Sequence, residues 1–170
     1  MIPKPVWPEH VRIALREERF EHVLHWIDSE NLPDTGLLQA AVYEWSGKPM
    51  AAAEVLTRSL KSLSLDKQLA YIWYRGLMYT QASMPALAEY DFDAVLYKKS
   101  AHPELARLAR AYARVLMGDA VGALEDVDGL PHDTVLSLDR VVTPTWVHLF
   151  AMATLNRIAL KEGKREDAMI

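Results

Sequence analysis

The chain has 170 residues, of which 51% are hydrophobic and 25% charged, with a formal net charge of −4. That composition belongs to a globular chain long enough for one domain with its own core. The acid excess argues against nucleic acid or an anionic membrane as partner, since both recruit positive charge, and the absence of cysteine excludes disulfides, thiolate metal sites and thiol nucleophiles.

Met1 to Pro8 carries no apolar run suited to a signal peptide. No window approaches the roughly 18 uninterrupted apolar residues of a membrane span. A cytoplasmic location, with its reducing conditions, is the expectation. Ala and Leu dominate, glycine is scarce, and the best β-branched cluster, Val141-Val142-Thr143, is cut by Pro144. The chain therefore reads as all-α.

In chain order, apolar residues recur at helical spacing. His10–Glu17 and Phe20–Ser29 form a first helical pair, closed by Asn31-Leu32-Pro33-Asp34. Leu37–Trp45 carries Leu38, Ala41, Val42 and Trp45, followed by Val55, Leu56 and Leu60. Ala70–Gln81 carries Trp73, Tyr74, Leu77 and Met78, followed by Leu87, Phe92, Val95 and Leu96. Leu105–Met117 carries Leu105, Leu108, Ala109, Tyr112 and Val115, followed by Leu124 and Val127. Trp146–Leu160 carries Trp146, Leu149, Phe150 and Ile158.

The junctions within these pairs repeat. Gly47, Gly118 and Gly163 are each followed five residues later by alanine (Ala52, Ala123, Ala168), and Ser83 with Ala88 is a fourth copy. The steps between copies are 36, 35 and 45 residues. Glycine or serine supplies the turn, and the alanine lets the second helix approach closely. Pro49 and Pro85 stand at the start of second helices, where a missing N–H costs nothing.

A repeat of helix–turn–helix near 34 residues resembles the tetratricopeptide repeat, TPR. The stretch from Tyr71 to Ser100 matches best, through Gly76, Tyr79, Ala88 and Phe92. Leu37 to Leu60 matches through Ala40, Tyr43, Gly47 and Ala52, and Leu105 to Val127 through Ala111, Gly118 and Ala123. Arg110 and Arg114 depart from the leucine and tyrosine of the pattern, so packing around them must differ. The resemblance implies one TPR-like domain, a right-handed stack of antiparallel hairpins with about 9–10 helices. The hairpins are expected at about 9–30, 35–62, 67–99, 102–128 and 143–170, with an insertion at about 129–142. An irregular helical bundle is the alternative.

Motifs for chemistry are sparse. Glu89, Asp91 and Asp93, and Glu125, Asp126 and Asp128, could serve as acid–base pairs only if two faced one cleft; a solvated helix face is the competing expectation. His22 and His25 share a helix face near His10, but nothing else of a zinc site accompanies them. No serine elbow or phosphate loop is present. No metal or cofactor is expected, and no enzyme.

Arg107, Arg110 and Arg114 form one stripe, either solvated and salt-bridged or a contact for an acidic partner. Trp73, Leu77, Leu108 and Tyr112 are core residues or, in a TPR-like stack, the lining of a concave groove. The resulting expectation is a protein-interaction module, an adaptor or chaperone holding a peptide or partner helix. Those four residues and the three arginines are the groove candidates. A self-associating scaffold or structural subunit is the second reading, because the last hairpin stops at Ile170 and leaves Leu149, Phe150 and Ile158 uncapped. An all-α hydrolase is the third.

Overall fold

A computed structural model describes residues 8–30, 35–98, 103–128 and 130. These residues form eight helices and no strand: α1 (Glu9–Arg16), α2 (Phe20–Ser29), α3 (Thr35–Trp45), α4 (Pro49–Leu60), α5 (Leu65–Gln81), α6 (Pro85–Tyr97), α7 (Pro103–Leu116) and α8 (Ala120–Val127). Each packs against the next, and α5 also touches α7. The hairpin expected at 143–170, and all of the expected insertion except Leu130, lie outside the described residues.

The same turn joins the helices of every described hairpin. Gly47, Ser83 and Gly118 adopt left-handed φ values of 72°, 59° and 83°, and Glu18 joins them at 57°. The N–H after each reaches back to a carbonyl in the last turn of the first helix: Lys48 to Tyr43 at 2.8 Å, Met84 to Tyr79 at 2.8 Å, Asp119 to Arg114 at 2.8 Å, and Arg19 to Ala14 at 2.9 Å. This helix ending satisfies carbonyls that the helix leaves open. Pro49 and Pro85 then begin α4 and α6, and the Asp119 carboxylate caps α8 by accepting from the Gly122 N–H at 2.9 Å.

The alanines five residues after the turns, Ala52, Ala88 and Ala123, are all buried. Helices also approach closely at Gly76, where an added Cβ would fall 2.6 Å from the Phe92 ring. Phe92 is itself buried and its ring lies tilted against Trp73 at 5.3 Å. The main core runs through α3 to α8, and a smaller cluster of Val11, Ala14, Val23, Ile27 and Val42 joins the first hairpin to α3. Polar locks cross between hairpins as well. The buried Tyr74 hydroxyl donates to Glu44 Oε2, and Gln81 Nε2 donates to Glu44 Oε1 at 3.2 Å. Burial, reinforced by Glu44, holds that hydroxyl far above its ordinary value. No helix among the described residues is long and apolar enough to cross a membrane.

Candidate functional site

Trp73, Leu77 and Leu108 lie in the core. Their helical phase points into the protein because α5 and α7 are covered by the second helices on either side, α5 by α4 and α6, α7 by α6 and α8. Tyr112 is half-buried, which pushes its hydroxyl up.

Two arginines of the stripe, Arg110 and Arg114, are internal clamps, and Arg75, which the sequence did not single out, is another. Arg75, on α5, forks onto Asp91 of α6, with Nε to Oδ2 at 2.8 Å and Nη2 to Oδ1 at 2.7 Å, while Nη1 reaches Thr57 Oγ1 of α4 at 3.1 Å. Arg110, on α7, repeats this one hairpin later. It forks onto Asp126 of α8, with Nη2 to Oδ1 at 2.5 Å, and reaches Asp93 of α6 through Nη1 at 2.8 Å. Arg114 adds Glu89 at 2.8 Å and Asp126 Oδ2 at 3.0 Å. Arg75 and Arg110 each stand eight residues before their turn residue, Ser83 or Gly118, and Asp91 and Asp126 stand eight after it. Bidentate guanidinium–carboxylate pairs fix geometry as well as charge.

A wholly solvated acidic face is therefore not what forms. Asp91 is 1% exposed and Asp126 3% exposed, because an arginine from the facing first helix lies over each. The hydrogen bond to Asp91 raises Arg75 above its ordinary value, and that to Asp126 raises Arg110 further. Burial raises the Asp91 carboxyl, with Arg75 pulling against it. Arg107 bonds to backbone instead. Its Nη2 donates to the carbonyls of Glu125 at 3.3 Å and Asp128 at 3.0 Å, closing the C-terminal end of α8.

Apolar surface is found elsewhere. On α6, Leu87, Tyr90 and Tyr97 fall on one side at spacings of three and seven, and Tyr90 and Tyr97 are 72% and 89% exposed. Leu87, counted among the core positions of its helix by spacing, is nearly half exposed. Spacing marked Phe92 and Val95 correctly as core, but the tyrosines sat off that stripe and read as neither core nor site.

His22 and His25 are exposed, and His10 meets Trp26 edge-on at 5.6 Å. No group of three His, Cys, Asp or Glu residues able to hold a metal occurs among the described residues. Comparison with protein-family models, with curated proteins and with solved structures finds no match to the chain.

Proposed function

We propose that the chain is a TPR-like stack of helical hairpins serving as a protein-interaction module, an adaptor or chaperone for a peptide or partner helix. The observation that carries this reading is the exposed side of α6, where Leu87, Tyr90 and Tyr97 present apolar and aromatic area to solvent. Tyrosine couples a large rigid apolar body to a polar tip, which suits it to contacts made and broken in water. The recurring turn and the repeated arginine clamp support the stack. The charged groups support binding over chemistry: Arg75, Arg110 and Arg114 neutralise the buried or half-buried carboxylates that an acid–base mechanism would need free.

A second reading, self-association, is favoured by the order of spacings on α6. Positions 87, 90, 94 and 97 step by three, four and three, a palindrome that an antiparallel copy of the helix can match. One experiment separates the two. The Tyr90→Ser/Tyr97→Ser variant keeps the wild-type circular dichroism melt, and its complex with the native partner weakens at least about tenfold, roughly the loss of one modest hot spot. Sedimentation of the wild type as a monomer at all concentrations removes the self-association reading. Undiminished partner affinity in the variant removes the α6 surface.

A further inference from the structure

Three seams join the four described hairpins, and they share one set of positions. At the second and third, the residue eight before the turn is Arg75 or Arg110. It reaches the residue ten after the preceding turn, Thr57 or Asp93, and the residue eight after its own, Asp91 or Asp126. At the first seam these positions hold Gln39, Asp28 and Val55. Gln39 Nε2 bonds to Asp28 Oδ1 at 2.6 Å, so the contact across the seam is kept. Glutamine is shorter than arginine, however, and Val55 offers no acceptor.

The space is left open. A cavity of about 460 Å³ lies there, lined by Leu24, Asp28, Gln39, Tyr43, Val55 and Arg58. Tyr43 is the counterpart of Tyr79, four residues before the turn, and the Arg75 guanidinium carbon lies 5.8 Å from the Tyr79 ring centroid. The first seam thus combines the ring position of the second, Tyr79, with the carboxylate position of the third, Asp93. Val55 replaces the carboxylate on which Arg75 and Arg110 fork, and the guanidinium is absent. Arg58 lines the same cavity but forms no ion pair with Asp28.

We propose that this cavity receives the guanidinium of an arginine side chain carried by a partner protein. A planar cation with several donors matches an exposed carboxylate, a glutamine amide oxygen and a tyrosine ring, and the protein itself fills the equivalent spaces with that group. The inference rests on the protein-interaction reading only for the source of the arginine.

The test titrates the full chain with N-acetyl-arginine-N-methylamide, following backbone amide shifts. The expected result is saturable binding centred on Asp28, Gln39 and Tyr43. The neutral citrulline analogue binds at least about tenfold more weakly, and Asp28→Asn, a change at an exposed site, weakens the arginine probe by about the same factor. Gln39→Arg/Val55→Asp rebuilds the clamp from within and abolishes binding. No binding of the arginine probe, equal binding of citrulline, or full affinity in Asp28→Asn or in the rebuilt clamp overturns the proposal. Free arginine binding more than about tenfold tighter than the capped probe overturns the partner as source, because the site is then reading an amino acid's own termini. The Tyr90→Ser/Tyr97→Ser variant should bind the arginine probe normally, so failure of this proposal and failure of the α6 surface are told apart.

Discussion

Replacing Asp91 by valine removes the acceptor of two charge-assisted bonds, 2.8 and 2.7 Å long, and leaves Arg75, itself only 15% exposed, without its carboxylate. Breaking one side of a buried pair costs about 3–5 kcal/mol, because the surviving charge stays desolvated. Arg75→Gln leaves Asp91, which is 1% exposed, and should cost a similar amount. The double variant Arg75→Gln/Asp91→Val is different. It places at the second seam the glutamine and valine that the first seam carries as Gln39 and Val55. The two hairpins there already pack without an arginine, with α2 and α3 in contact and Gln39 bonded to Asp28. Exchange of a buried ion pair for uncharged groups removes the uncompensated charge. It leaves the space that Gln39 and Val55 leave open at the first seam, so the double variant should lose about 1–3 kcal/mol, well short of the sum of the singles. The coupling is then several kcal/mol, larger than either substitution alone would suggest. Urea unfolding at neutral pH, followed by far-ultraviolet circular dichroism, measures all four corners of the cycle. A double variant as unstable as the sum of the singles would refute the equivalence of the two seams.

Three further outcomes follow from particular residues. Gly76→Ala gains about 1 kcal/mol of helix propensity but drives a methyl against the buried Phe92 ring, an overpacking cost of about 1–3 kcal/mol. Thermal unfolding should show net destabilisation, relieved when Phe92→Leu is added. Ser83→Gly removes the left-handed strain at φ 59° and should raise stability by about 0.5–1 kcal/mol; a lower melting temperature would contradict the turn assignment. In Arg75→Gln only burial acts on the Asp91 carboxyl, so carbon-detected NMR should find its pKa higher than in wild type. A folded pKa above the unfolded value means that this group's contribution is fully present below the unfolded pKa. It is lost as pH rises through the folded one, so that variant should gain stability on mild acidification.

The helices were legible because their cores repeat at helical spacing. Val42, Trp73 and Leu77 in first helices, and Leu56, Phe92 and Val95 in second, mark α3 to α6 by period alone. The turns were legible at Gly47, Ser83 and Gly118, where a small residue precedes a buried alanine by five. Glu18 was not. It makes the same left-handed ending with no glycine to announce it, and the hydrogen bond from Arg19 to Ala14 completes it. Helix starts shifted for a local reason, as α5 begins at Leu65, five residues before its first strongly periodic position, and α7 at Pro103.

The clamps were half legible. Arg110 and Arg114 were visible as part of a stripe, with salt bridging one of its two readings, but Arg75 lay outside it, and spacing alone could not tell which acid lay sixteen residues away across the hairpin. Asp91 and Asp126 look like any acidic helix face until the facing arginines are placed. Tyr90 and Tyr97 were hidden for the opposite reason: a tyrosine off the core stripe signals nothing by period, and only its exposure reveals it. Pairing residues by distance from the turn, rather than by composition, is the signal that would have found the clamps and the open first seam.

The claim that the chain works by binding another protein through α6 is tested most directly by photo-crosslinking in the native host. A benzoylphenylalanine replaces Tyr90 or Tyr97 in the full chain, with the equally exposed Leu65 position as control. The account predicts one discrete adduct, of the same mass from positions 90 and 97 and missing from position 65. Adducts that appear equally from all three positions, or from none of them, would contradict it.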